Sequence, residues 1–487
     1  MQCKTKKYTA MSRCKDTNFF SEVGTFFQKS DNKALQAVLT AVRAMRLTDD
    51  ALGLATRYNA CTKTSEKVLV LLLLPFFGCS HVSHVAADWV SRWLKVGYNT
   101  LYRLMRDERV DWRRVLGTLA SRTLKYIAAN TERGAGSPRC LVVDDTDIAK
   151  SGMRIEKIGR VFSHTEHSHI VGFKGLLVGL SDGVSFHPLD FTLHGEPGKR
   201  GDQGLTAKQR ARRKSTTPEE GTPASVRHSE YTRSKIAMLI AMVRRIRVRK
   251  IDFDYLLIDS WFMCQEVIVS VLGLKGRHHV LGMLKNNVNK FEVCGESMKT
   301  GQMVSRLKGD RKRCRKYHCE YIAVDTSMGG VPVRLFLCRH SGKNEWKTLL
   351  TTDLSLPFVR AYEIYAVRWS IEVCFKECKQ YLNLEGNQSQ YFNSQIAHVT
   401  VCLMQYSILA LAKRMGSYET LGELFRNTNA DTVEITLYEK ILLALREILA
   451  EFAEYIGFPD KRIVQKFLSD NELLQKIRHS ICLNPRT

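Results

Sequence analysis

The segment YAVRWSIEVCFKECK, Tyr365 to Lys379, sets one carboxylate among cationic and hydroxyl-bearing side chains. At 100° per residue along a helix, Tyr365, Arg368, Glu372, Lys376 and Lys379 share one arc of about 80°. Val367, Ile371, Cys374, Phe375, Cys378 and Leu382 fill the arc a helix buries, so the two cysteines read as core residues rather than a metal pair. A Tyr/Arg/Lys face suits phosphate binding, because Arg and Lys bring charge and Tyr brings a hydroxyl donor. A solvated face with an intrahelical Glu372–Lys376 ion pair is the competing reading.

Two more acids bear on Glu372. Asp144 ends the apolar run CLVVDD and Asp259 ends YLLIDS. Strand ends of an open sheet place side chains in the ligand crevice, although an acid there can equally cap the next turn. Three carboxylates from two strands and one helix make a site for two hard cations. Mg2+ prefers carboxylate oxygens, and two ions about 3.5–4 Å apart stabilise both the attacking and the leaving oxygen of a phosphodiester displacement. Neighbours on a strand face opposite ways, so only one of Asp144 and Asp145 can enter such a site. Asp147 reads as a turn residue beyond the strand.

The elements that must position these residues follow from pattern. Residues 1–130 read as helical, with a surplus of Lys and Arg over acids. Within them, SHVSHVAADWVSRWLKVGYNTLYRLMRDERV offers two amphipathic segments about Lys95-Val96-Gly97, with Asn99 or Thr100 as cap of the second, in the manner of a helix-turn-helix. From Pro138, short apolar runs predict three successive strands, the last two joined at Ser181-Asp182-Gly183. Residues 196–229 are poor in apolar side chains and predict a mobile basic surface insertion. A helix, a strand, a helix and a strand follow to residue 285. Residues 286–354 predict an inserted β-rich subdomain, and one helix runs from Pro357 to Gly386. Residues 395–487 carry apolar-periodic segments that predict packing or dimerisation helices. His164, His167 and His169 lie together without a second ligand group at metal spacing, and a surface loop is expected there.

A net charge of +25 is the footprint of a polyanion partner, nucleic acid first. The longest apolar run, Val68 to Phe77, is too short for a bilayer span, and no secretory h-region is present. Scattered cysteines without a CxxC pair predict reduced, buried thiols in an intracellular protein. No G-x-x-x-x-G-K-[ST] loop occurs, so no nucleotide cofactor is expected.

Tyr365, Arg368, Glu372 and Lys379 resemble, with every gap matched, the Y-(2)-R-(3)-E-(6)-K signature of DDE transposases of the insertion-sequence family four type. Asp144-Asp145-Thr146 resembles that family's D-x-T strand end, which favours Asp144 over Asp145, and IDSWF at Asp259 resembles its second acid and aromatic turn. The likeness spans about residues 138–385. It implies an α/β fold: an RNase H-like core in two parts (131–285 and 355–394), interrupted by the β-rich insertion and flanked by helical regions, the first binding DNA. It implies that Asp144, Asp259 and Glu372 hold two Mg2+ ions, with Mn2+ able to substitute. Tyr365, Arg368 and Lys379 would then hold DNA-end phosphates. Lys376 joins that group by geometry and Trp369 borders the same face. Trp346 is the positional counterpart of a base-stacking aromatic, or a core tryptophan. The implied activity is hydrolysis at transposon ends followed by strand transfer, through a hairpin in some relatives, by a homodimer on terminal inverted repeats and target DNA. A prokaryotic, cytoplasmic, nucleoid-associated protein without membrane contact is implied. A metal-dependent endonuclease on this fold and an inactive DNA-binding repressor are the alternatives.

Overall fold

A computed structural model describes residues 33–431, apart from residues 57, 59, 61, 78–81, 83–96, 132–135, 287, 294 and 417. Its N-terminal part is helical: α1 (Lys33–Ala44), α2 (Asp49–Leu52), α3 (Thr64–Leu73), α4 (Tyr98–Arg106) and α5 (Trp112–Asn130). Strands β1 (Cys140–Ala149), β2 (Gly159–Ser163), β3 (Ser168–Ser181) and β4 (Phe186–His194) follow, then α6 (Ala207–Arg212), α7 (Pro223–Glu230) and α8 (Lys235–Val248). Next come β5 (Tyr255–Ile258), α9 (Gln265–Leu272), β6 (His279–Leu284), a small hairpin of β7 (Lys290–Val293) and β8 (Glu296–Lys299), and α10 (Thr300–Arg306). The chain continues through β9 (Lys312–Cys314), β10 (Cys319–Met328), β11 (Val331–His340), β12 (Lys347–Thr351), α11 (Phe358–Ala366), α12 (Trp369–Tyr381) and α13 (Phe392–Met415).

One ten-stranded mixed sheet organises the fold. Strands β4, β3 and β1 are antiparallel in sequence, while β5 runs parallel to β1 and β6 parallel to β5. The order β4-β3-β1-β5-β6 is that of an RNase H-like sheet, and the α/β fold class expected from the sequence is the one found. The central strands are buried on both faces, and successive residues join opposite apolar clusters as the pleat requires. Cys140 and Val142 of β1 and Tyr255 and Leu257 of β5 join the apolar cluster that also holds Ile364, Ile371 and much of α13. Leu141, Val143, Leu256 and Ile258 join the cluster under α8 and α9 on the opposite face. Helix α13 is long and apolar enough to cross a membrane, but 94% of its apolar window is buried inside the protein, where it serves as a core helix.

Several expectations change. Within the β-rich residues 286–354, β12 pairs with β6 and β11 and β10 and β9 continue the main sheet, while β7 and β8 form a two-stranded sheet of their own. A fourth strand, β2, precedes the predicted hairpin. The hairpin itself turns at Asp182, whose carboxylate accepts from Val184 and Ser185 N–H, with Gly183 at φ +85°. Residues 196–229 fold into α6 and α7, because Thr206 and Thr222 cap them and Leu205, Ala224, Arg227 and Glu230 are buried. Asp147 lies within β1, not beyond it, and its carboxylate pairs with Lys174 of β3. Helix α4 is capped at Gly97, while Asn99 and Thr100 lie inside it. The first predicted helix-turn-helix segment and the apolar-periodic segment 437–456 lie outside the described residues.

Candidate active site

The helix expected from Pro357 to Gly386 is two helices. Val367 and Arg368 form a tight turn between α11 and α12, in which Arg368 N–H reaches Tyr365 C=O (3.0 Å) and Ile371 N–H reaches Arg368 C=O (3.2 Å). These three-residue returns break the 100° wheel. The buried arc survives the break: Ile371, Cys374, Phe375 and Cys378 of α12 face the core. The helix ends at Tyr381 rather than Gly386, with Asn383 at φ +55° and Leu384 N–H returned to Cys378 C=O (3.1 Å).

Strand geometry aims the acids. On β1, Asp144 falls on the side of Cys140 and Val142, the face covered by α11 and α12, and Asp145 falls on the face of α8. On β5 the same alternation carries Asp259 to the side of Tyr255 and Leu257. Val142 and Leu257 are paired partners; Asp144 follows two residues later within β1, and Asp259 follows two residues later just beyond the end of β5. Asp259 Oδ1 also accepts from Trp261 N–H (2.9 Å) and Phe262 N–H (3.2 Å), which holds the carboxylate at the strand end.

Arg368 joins strand to helix. Its Nη1 donates to Asp144 Oδ2 at 2.8 Å and its Nη2 to Glu372 Oε1. Its guanidinium lies 6.0 Å from the Tyr365 ring centre. Burial raises the Asp144 carboxyl to about 6 despite Arg368 and the Asp145 N–H, with Asp259 adding repulsion. Burial also raises Tyr365, to about 12, so its hydroxyl stays protonated and able to donate. Burial alone would lower Arg368; Tyr365, Asp144 and Glu372 outweigh it and hold the guanidinium charged.

The remaining expected residues are more dispersed. Lys379 pairs with Glu385 at 3.1 Å, and Glu385 also accepts from Ala149 N–H (3.2 Å), so this lysine ties α12 to the end of β1. Lys376 is exposed, as is Trp369 at 63%. Trp346 is half-buried against the β-insertion's core, with Arg311 and Arg339 within 5.3 and 5.1 Å of its ring centre. Among the described residues no three His, Cys, Asp or Glu side chains draw together as a closed metal cluster. The Arg368 guanidinium stands between Asp144 and Glu372 and supplies the positive charge there. The histidines of residues 164–169 flank the β2–β3 turn, with His164 and His169 edge-on to Phe162.

Two residues beside the acids escaped the sequence reading. Trp261, two positions after Asp259, is 48% exposed, and Lys235 Nζ lies 5.0 Å from its ring centre. Lys235 also pairs with Asp145. The aromatic turn IDSWF was the available signal for Trp261; nothing local to α8 marked Lys235.

No curated protein matches the chain. It is similar to a piggyBac transposase in a synaptic complex with hairpin DNA, at 11% identity and a TM-score of 0.40, over 94% of this chain and 86% of that one. Residues 88–315, less than half the chain but including Asp144 and Asp259, match the DDE superfamily endonuclease family.

Proposed function

We propose that this protein is a DDE transposase that hydrolyses phosphodiester bonds at the ends of a DNA element and joins the freed 3′-OH to target DNA. The observation that carries the reading is the Arg368 bridge between Asp144 and Glu372, with Asp259 just past the end of the neighbouring strand β5. The endonuclease-family match over Asp144 and Asp259 supports a nuclease or transposase, and the signature spacing supports the narrower choice. The donor set fits Mg2+, with Mn2+ as substitute, because all three groups offer hard carboxylate oxygens. Two ions bound by Asp144, Asp259 and Glu372 would activate the attacking oxygen and stabilise the leaving one.

The chain's own groups do the positioning. Arg368 presents a planar fork that suits a phosphate, and a cation held by Asp144 and Glu372 would free that fork for the DNA end. Tyr365 donates its hydroxyl to a phosphate oxygen. Lys376 and Trp369, exposed on the same helix, extend the contact along the DNA, while Lys379 holds the end of β1 through Glu385. Trp346 is a second aromatic contact from the insertion. A homodimer pairing two inverted repeats in a prokaryotic cytoplasm, and a hairpin intermediate, belong to the same reading.

The test is purified full-length protein with Mg2+ and DNA carrying the inverted repeats that flank its coding sequence. Nicking followed by joining is expected. Nicking alone makes the protein an endonuclease, and binding without nicking makes it a repressor. Asp259→Ala and Glu372→Ala should each lose cleavage by on the order of 10³-fold while keeping the native circular dichroism spectrum, as loss of several kcal/mol of charge stabilisation requires. Full cleavage by either folded variant overturns the assignment.

A further inference from the structure

A second site, separate in its residues from the carboxylates, lies where the first turns of α5, α7 and α13 meet. A cavity of about 200 Å³ is lined there by Trp112 and Arg113 of α5, Val226 and Arg227 of α7, and Asn393 and Ile396 of α13. Three helix N-termini converge on it and bring partial positive charge, although first-turn donors there are already used: Ala224 N–H by Glu108 C=O (3.2 Å), Ser225 N–H by Thr222 Oγ1 (3.2 Å), Trp112 N–H by Val110 C=O (3.0 Å) and Phe392 N–H by Glu156 (2.9 Å). The side chains add to this. Arg227 is 6% exposed and spends Nη1 on Phe191 C=O (2.6 Å) and Glu230 (3.3 Å), yet its Nε and Nη2 have no partner. Trp112, 2% exposed, has no partner for its indole Nε1.

The charges around the cavity do not cancel. Arg113 bonds Asp190 (3.0 Å) and Glu230 (2.6 Å), and Arg245 bonds Asp190 (2.7 Å), so two carboxylates already serve Arg113, Arg245 and Arg227. Arg249 adds a fourth guanidinium, satisfied by the carbonyls of Leu189 and Arg113. Asp111 also lines the cavity, but it is the N-cap of α5 and accepts from Arg114 N–H at 2.9 Å. Buried donors left open cost about 1–3 kcal/mol each, so a pocket with three of them is built for an acceptor.

We propose that this cavity binds a phosphate-sized oxyanion, which accepts from Arg227 Nε and Nη2 and Trp112 Nε1 and thereby clamps α5, α7 and α13 together. The anion is either free inorganic phosphate or a phosphate of the DNA backbone. Full-length protein is titrated with sodium phosphate, against chloride at matched ionic strength, and thermal unfolding is followed. A saturable rise in Tm of about 2 °C or more is expected for the native protein. It should vanish in Val226→Glu, which sets a carboxylate at the cavity on a residue already 47% exposed, and shrink in Arg227→Lys, which keeps charge but loses the fork. In ³¹P spectra, displacement of bound phosphate by a short duplex oligonucleotide assigns the site to DNA, and retention assigns it to the free anion. No rise beyond chloride, or an equal rise in Val226→Glu, overturns the proposal.

Discussion

Asp144 holds a carboxyl that burial makes hard to ionise. An ordinary aspartate titrates near 3.8, but burial lifts this one to about 6 in the folded protein. Between those values the fold keeps a proton that the unfolded chain has lost. Stability of the metal-free protein therefore falls as pH rises from about 4 to about 6, and the full cost persists above that. Asp144→Asn, which keeps an acceptor for Arg368 but removes the charge, should be more stable than the native protein at pH 7.5 by on the order of 1–3 kcal/mol. The difference should disappear near pH 4. Urea denaturation at the two pH values, with chelator present, measures it; equal stabilities at pH 7.5 would show that the carboxylate is not strained by burial.

At the scale of elements, α12 must be held at a fixed height over β1 for Glu372 to meet Asp144. Part of that hold is Lys150, which is buried just past β1 and donates to the carbonyls of Glu385 (2.9 Å) and Asn387 (3.0 Å) in the connection to α13. Lys150→Met takes this donor from the Glu385 carbonyl, while Asn387 C=O keeps Gln395 Nε2 (3.1 Å), and should cost about 1–3 kcal/mol in urea unfolding. A cost below that of an ordinary surface substitution would remove Lys150 from the clamp. This scale also shows what the sequence made legible. Apolar runs ending in acids marked β1 and β5, and period-2 alternation put Asp144 and Asp145 on opposite faces, while the preference for Asp144 came from the D-x-T likeness. Helical periodicity marked the buried arc of α12. The tight turn at Val367-Arg368 was not legible, because no Gly or Pro announces it. Residues 196–229 misled because their order comes from caps and from buried charge, Arg227 with Glu230, rather than from apolar content. The Lys235–Asp145 pair joins residues 90 positions apart, a separation no local pattern encodes.

For the whole molecule, a net charge of +25 makes DNA affinity depend on salt through released counterions. A plot of log K against log salt concentration should be linear, and Lys376→Ala should reduce its slope by about 1 if that exposed lysine contacts one phosphate. An unchanged slope would take Lys376 off the DNA path. The central claim is that Asp144, Asp259 and Glu372 form one cation site. Electron paramagnetic resonance titration of Mn2+ into the full-length protein tests it most directly. The native chain should bind Mn2+ saturably, and Asp259→Asn and Glu372→Gln, each folded by circular dichroism, should lose that binding. Undiminished Mn2+ binding in both folded variants would contradict the account.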